Sequence, residues 1–364
     1  MRFLTGNPRS STGHLGIAFD EDGIRMLQVR DQRDGLRVTG AGWVPAAQAS
    51  EVHTADAIRT AFINGGFTGR RCVVCLPRSE VWTQLTRFPQ MPEAELKEAV
   101  VWEASDRFGI ARDQLQCDWL PVGMSEGSRQ EVLLVAASTE RLGARLEAIL
   151  EAGLRPVAVD TDFGGLGRLF SQRYRRDADQ QSARVVLDVG PTGSTLLMLS
   201  GHRTTFCKSL AIGGRHFDAA VAEHLDLDEQ AARELRWARL EGETTMDATT
   251  DAALTAATRS VVSELARDAM LCLRHYSVSI RGTRPEYLVL SGCHAGEPGL
   301  AEALASSCRL TVREDDQSGT LQSLAADIRA QTAGSCGPIS GWAAVAGLSL
   351  RGKSPRRQSQ RMAA

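Results

Sequence analysis

Lysine is almost missing: Lys97, Lys208 and Lys353 are its only occurrences, so nearly all of the 42 basic side chains are arginine. Such a bias reads as genomic and matters only locally, where an arginine stands at a position that phosphate chemistry would give to a lysine. There is no excess charge of one sign either: the formal net charge is -2, with 24% of residues charged. That balance argues against nucleic acid as the main partner. No apolar run approaches the roughly 20 residues of a bilayer span, and the opening MRFLTGNPRSSTGH lacks the apolar core of a signal peptide. The expectation is a cytoplasmic protein. No second CxxC accompanies Cys72-Val-Val-Cys75, so a four-cysteine zinc site has no basis. RRCVVCLP reads as a strand, whereas thioredoxin-type chemistry needs its pair at a helix N-terminus.

The 364 residues suffice for two domains or one large one. Eight cysteines are scattered through mostly apolar segments, a distribution that suits reduced core thiols rather than a disulfide framework.

The chain is organised around residues 184–214, RVVLDVGPTGSTLLMLSGHRTTFCKSLAIGG. Val185, Val186 and Leu187 form a short apolar run that ends at Asp188. Gly190, Pro191, Thr192, Gly193 and Ser194 supply a tight turn, and Leu196 to Leu199 starts a second, antiparallel strand. A strand that delivers an Asp followed by glycines and hydroxyls brings a carboxylate, backbone N–H groups and hydroxyls to one spot. A polyphosphate and its metal need that equipment. An ordinary hairpin with an Asp at its turn has the same pattern.

Residues 1–13 read as a loose polar leader. Three apolar runs (15–19, 24–29, 36–43) separated by DEDG and DQRDG predict a meander, followed by a helix over 55–63 and a strand over 71–76. From 77 to about 155 the composition shifts. A helix begins after Pro92, two strands cover 117–120 and 132–137, and a second helix ends at Gly153; the block reads as an inserted α/β subdomain. A strand at 156–160 and a helix at 163–174 close domain 1 (14–182), and the polar RRDADQQSA is the best boundary. Domain 2 (183–350) adds helices near His216, after Asp228 and over 254–276, with EGETTMDATTD as a loop. Tyr287 to Leu290 is a strand that runs into Ser291-Gly292-Cys293-His294. Short helices at 300–304 and 341–350 follow, the last able to pack on domain 1. The basic tail 351–364 has no apolar face. Trp82 and Trp102 read as core residues, and His294 as a polar loop residue.

Two βββαβ-type halves, the second opening with D-x-G-x-T and closing with a strand into S-G, resemble the actin-like ATPase superfamily. Within it the chain resembles the type IV pilus assembly protein PilM family. The resemblance rests on RFPQMPEAELKEAVVWEASDRF, VLLVAASTERLGARLEAILEAGLRPVAVDTD, LDVGPTGSTLLML, SLAIGGRHFDAAVAEHLDLDEQAARELR, YLVLSGCHAGEPGLAEALASSC and WAAVAGLSLRG, in that order over roughly residues 15–352. It implies an actin-like ATPase fold, α/β, with two βββαβα-type domains and an inserted α/β subdomain in the first. It implies ATP with magnesium in the cleft between the halves. The second phosphate loop then falls on Asp188 (also the metal residue), Gly190, Thr192 and Ser194, with Gly213 and Gly214 on the nucleotide side. Arg236 falls where the family has a lysine, Ser291 and Gly292 form the adenosine turn, and Asp160 is the connecting acid. The first phosphate loop, D-x-G-x-x-x-x-K in the family, falls on Ala18, Asp20 and Arg25. Here a carboxylate is lost and a side chain replaces the glycine. Cys293 likewise replaces the second glycine of the adenosine turn.

The resemblance further implies a scaffold under the inner membrane of a type IV pilus or related type II secretion platform. Its partner would be the cytoplasmic N-terminal peptide of a PilN-like membrane protein, held beside the inserted subdomain, with nucleotide setting the domain angle. Enzymatic activity would be a weak ATPase at most. Two other readings stay open: a scaffold that binds no nucleotide, favoured by Ala18, Asp20 and Cys293, and a small-molecule kinase with Asp160 or Asp188 as base. Homo-oligomerisation is open as well.

Overall fold

The computed structural model describes residues 12–352 except 33–34, 49–52, 123–128, 173, 175–181, 242–245, 281, 316–318 and 333–335. Most of the leader, the linker and the basic tail therefore lie outside the described residues.

Two five-stranded sheets carry the same strand order. The first is built from β1 (Leu15–Asp20), β2 (Gly23–Gln32), β3 (Gly35–Pro45), β4 (Arg71–Cys75) and β8 (Arg155–Asp160), in the order β3-β2-β1-β4-β8. β1, β2 and β3 pair antiparallel, whereas β1–β4 and β4–β8 are parallel. The parallel joins require crossover helices, supplied by α1 (Thr54–Asn64) and, at the end of the insertion, α3 (Thr139–Glu151). The second sheet repeats the plan as β11-β10-β9-β12-β13, from β9 (Ala183–Val189), β10 (Ser194–Ser200), β11 (Arg203–Leu210), β12 (Tyr287–Ser291) and β13 (Thr311–Arg313). Its crossovers are α5 (Gly214–Leu225), α6 (Glu229–Glu241), α7 (Ala248–His275) and α8 (Leu300–Cys308).

The insertion forms its own antiparallel sheet, β5-β7-β6, from β5 (Val81–Pro89), β6 (Leu115–Pro121) and β7 (Arg129–Ser138), covered by α2 (Glu93–Phe108). β5 is a strand that residue pattern did not signal. Its first six residues, Val81 to Thr86, are all half-buried, so over most of its length it lacks the two-residue period. Trp102, expected in the core, is 60% exposed, and its ring lies under the guanidinium of Arg112 at 3.6 Å. Trp82 stacks on Phe108.

Between the two large sheets lie α4 (Asp162–Phe170) and α10 (Ala343–Ser349), joined in one core with Trp342, Val73, Val186 and Val289. The two helices cross with Gly165 against Gly347, so closely that a Cβ on Gly347 would overlap the Gly165 carbonyl. α10 packs on β1, β2 and β4, and Ser349 Oγ accepts from Val29 N (3.0 Å) and donates to His14 O (2.7 Å). The last helix of the chain thus completes the first half. α9 (Gln322–Gln331), a further helix without an expectation, packs against β3.

Other boundaries moved for identifiable reasons. α4 stops at Phe170, not Tyr174, and Arg184 is directed at the helix end, donating to Phe170 O at 2.6 Å. In the segment expected to be loop, α7 starts already at Ala248, because Asp247 caps it by accepting from Thr249 N and Thr250 N at 3.0 Å.

Candidate functional site

The strand ends β1, β4, β9 and β12 meet where the halves face each other. Their loops line a cavity of about 50 Å³ that includes Ala18, Asp20, Arg25, Arg78, Asp162 and Asp188. A larger cavity of about 560 Å³ lies on the β12 side, lined by Glu241, Glu297, Gly299, Arg313 and the 336–340 segment among others.

The centre of the smaller cavity is held by Arg78, in the turn after β4. Its Nη2 lies 2.5 Å from Asp162 Oδ2 and 3.0 Å from Asp188 Oδ2, its Nε lies 3.0 Å from Asp162, and Nη1 donates to Gly193 O. Asp162 belongs to the first half, Asp188 and Gly193 to the second, so one guanidinium joins both. Burial pushes the Asp162 carboxyl up, but the charge of Arg78 and a 2.9 Å bond from Thr195 outweigh it and hold the group below the usual range. For Asp188, burial and the nearby Asp162 charge win and the carboxyl is raised despite Arg78. Neither Arg78 nor Asp162 stood out in the sequence. The one available signal for Arg78 was its place directly behind an apolar strand, in LPRSE.

The residues expected to form the second phosphate loop are together, but their polar atoms are largely engaged. Gly190 N donates to Gly193 O (3.0 Å), and Gly190 O accepts from Gly214 N (2.9 Å). Ser194 is fully buried and donates to Ile212 O at 2.6 Å. Thr192 Oγ1 lies 3.5 Å from Glu21 across the cleft. Gly213 and Gly214 start α5, and a Cβ on Gly214 would run into the His294 ring. Ser291 Oγ and Gly292 N both donate to Ser340 O, which ties the β12 turn to the segment before α10. Gly292 has φ 97°, a conformation that favours glycine.

Two expected ligands have other employment. Arg236 is 1% exposed; it bonds Glu297 through Nε (3.1 Å) and Nη2 (2.9 Å), Gly214 O and Asp218 through Nη1, and His294 Nδ1 through Nη2 (3.3 Å). All five of its N–H groups are committed, so it is a strut joining α5, α6 and the loop after β12. Asp160 does not line the small cavity; Arg168 (2.6 Å) and Arg351 pair with it. Asp162, two residues on, is the acid at the cleft.

Arg25 does face the cavity. It is 2% exposed, stacks on Trp43 at 4.4 Å and lies 3.7 Å from Asp20, and its Nε and Nη2 make no hydrogen bond among the described residues. Burial, reinforced by the acidic neighbours Glu21 and Asp22, keeps the Asp20 carboxyl well above the usual range.

A third group crosses the cleft. Asp22 Oδ2 accepts from Cys293 Sγ (3.2 Å) and lies 3.6 Å from His294 Nε2, and Arg233 donates to Oδ1 at 2.7 Å. The ligand-type atoms of Asp22, Cys293 and His294 lie within 4.8 Å of one another, a spacing that suits a metal. However, Arg236 donates to His294 Nδ1, an assignment made from this network, and that leaves the ring proton on Nε2, the nitrogen a metal would need. Asp22 and Cys293 are therefore tied by a hydrogen bond, and His294, a polar residue of the loop after β12 as expected, is buried beside them. The CxxC pair lies on β4, and burial pushes both thiols up, Cys72 to about 12, which makes them inert.

A family model described as "Type IV pilus assembly protein PilM" matches residues 16–331. The chain belongs to the PilM family. A solved "PilM-PilN type IV pilus biogenesis complex" contains a chain 23% identical, with a TM-score of 0.74 over 94% of this chain and 99% of that one. The ethanolamine utilization protein EutJ from Carboxydothermus hydrogenoformans is 12% identical, with a TM-score of 0.52 over 93% and 89% of the two chains. With the doubled β3-β2-β1-β4-β8 order, these likenesses make the fold that of the actin-like ATPases.

For a PilM-family chain the resemblance puts magnesium and the phosphates of ATP between Asp188 and the two loops. The residues here do not fit that group with the halves as they stand. A guanidinium fills the position between the carboxylates, Ala18 offers no oxygen, and the cavity lined by these residues is only about 50 Å³. Among the described residues no helix is long and apolar enough to cross a membrane.

Proposed function

We propose that the chain is a non-enzymatic scaffold of a type IV pilus inner-membrane assembly platform, peripheral to the membrane. Its partner is the cytoplasmic N-terminal peptide of a PilN-like membrane protein. The observation that carries this reading is the family match over residues 16–331, joined to likeness across nearly the whole of a chain solved in a PilM-PilN complex.

The surface that suits an extended peptide is β8, beside the insertion. β8 is the outer strand of its sheet, so its outward N–H and C=O groups are available for strand addition. Val157 and Val159 are 40% and 37% exposed, and Leu150 on α3 is 58% exposed. The register sets Val159 beside Val74, on the face that Ile149 of α3 covers, so the exposed valines continue the α3 side of the sheet. A kinase or ATPase reading is less well supported, since Asp188 is bound to Arg78 and Asp160 to two arginines.

The test is titration of the purified chain with a labelled synthetic peptide of the PilN N-terminal segment from the same organism, read by fluorescence anisotropy. Saturable binding that Val159→Asp weakens supports the reading. No binding by a folded protein removes the PilN-like partner from it.

A further inference from the structure

We infer that Arg78 is a resident cation standing in for the nucleotide-bound metal, so that the chain itself holds its cleft closed. Two carboxylates that share a buried site need a positive charge between them. At the facing carboxylates of Asp162 and Asp188 that charge is covalently supplied, by a side chain only 18% exposed.

The glycine of the second loop fits this role. A Cβ on Gly190 would fall 2.6 Å from Arg78 Nη1, so the bare backbone at the spot where a phosphate would approach is where the guanidinium rests. Gly193 supplies a carbonyl to the same nitrogen atom. The fork therefore reaches two carboxylates and a carbonyl from both halves at once through three separate nitrogen atoms, where a lysine has one. The neighbouring ties act in the same direction: Asp22 with Arg233 and Cys293, and Thr83 with Ser209 at 3.0 Å, also cross between the halves. Magnesium with ATP would have to expel Arg78 from all three partners to enter. The domain angle is then set by the sequence and not by nucleotide, and the partner surface on β8 is available without it.

The experiment is thermal unfolding of the full chain and of Arg78→Ala and Arg78→Lys, each titrated with magnesium chloride alone and then with ATP added. A ligand at about 100 times its Kd raises an unfolding midpoint by several degrees. The wild-type midpoint should move with neither addition. Arg78→Ala should unfold at lower temperature and regain much of the loss saturably with magnesium alone, because the ion then sits between Asp162 and Asp188. Arg78→Lys should keep the charge and remain insensitive to magnesium. A saturable upward shift of the wild type with magnesium-ATP overturns the inference, as does an Arg78→Ala chain as stable as wild type and blind to magnesium. If Arg78→Ala does not fold, the wild-type titration decides alone. Peptide binding is measured without nucleotide, so failure here and failure of the partner assignment are separate results.

Discussion

Asp22, at the tip of the β1–β2 turn, accepts a hydrogen bond at 2.7 Å from Arg233 of α6, 211 residues further along the chain. The tip of the first loop in one half is thereby fastened to a helix of the other. Because the same carboxylate also takes Cys293 and faces His294, a single aspartate gathers three groups of the second half around it.

That carboxylate makes closure sensitive to acid. Burial raises its pKa, but the bond and charge of His294, with Arg25 and Cys293, outweigh burial and bring it down to about 2. A depressed folded-state value contributes stability that is present above the ordinary carboxylate pKa and lost as pH falls through the folded one. The expected outcome is a loss on the order of 2 kcal/mol from this group as pH drops from about 4 to 2. Asp22→Asn should be less stable at neutral pH and lack that part of the acid slope, measured by urea denaturation across the pH range.

Arg236 offers the sharpest single-residue test of stability. With Glu297 at 1% exposure beside it, removing the guanidinium leaves a buried carboxylate uncompensated. Arg236→Ala should cost about 3–5 kcal/mol. Arg236→Lys should also be destabilising, since one ammonium cannot replace five N–H groups directed at Glu297, Asp218, Gly214 O and His294. If Arg236 were instead a solvated ligand for nucleotide, neither change would move the denaturation midpoint.

The sequence and the structure agree best where a pattern is imposed by burial. The meander, the hairpin at 184–200 and the long helix have apolar spacing that the core enforces, so they were legible. β5 was not, because its side chains are mostly half-covered on both faces and no alternation survives. The site was legible as a place and less so as chemistry. Asp188, Gly190, Gly292 and Arg25 line one cavity, with Ser291 paired beside Asp188, since the parallel strands β1, β4, β9 and β12 end at one edge. What fills the space between them depends on Arg78, and no local spacing relates residue 78 to residues 162 and 188. Asp160 and Asp162 differ by two positions on either side of the helix N-cap Thr161, and residue type alone could not tell which would pair away from the cleft.

Close backbone contact predicts a steric effect that hydrophobicity does not. At the α4–α10 crossing, Gly347 and Gly165 touch without side chains, and an added methyl at 347 would meet the Gly165 carbonyl, which belongs to helix backbone and cannot swing aside. Gly347→Ala should destabilise by roughly 1–3 kcal/mol, despite alanine being the better helix former. Gly143, on α3 with open space around its Cβ position, is the control: Gly143→Ala should be neutral or slightly stabilising by the same denaturation assay.

The β8 edge separates binding from folding. Val157 and Val159 retain enough exposure that a charged replacement keeps its hydration, so Val159→Asp should leave the unfolding midpoint within a few degrees of wild type. In strand addition that side chain would lie against the incoming peptide, and an aspartate there must shed water on binding. An affinity loss of roughly tenfold or more follows from about 1–3 kcal/mol of unpaired polar burial. Arg351 donates to Val159 O at 3.4 Å on the exposed side, so it competes with the peptide for one carbonyl of the strand. Arg351→Ala should therefore bind the peptide at least as tightly as wild type, and a weaker complex would place the docking surface away from β8.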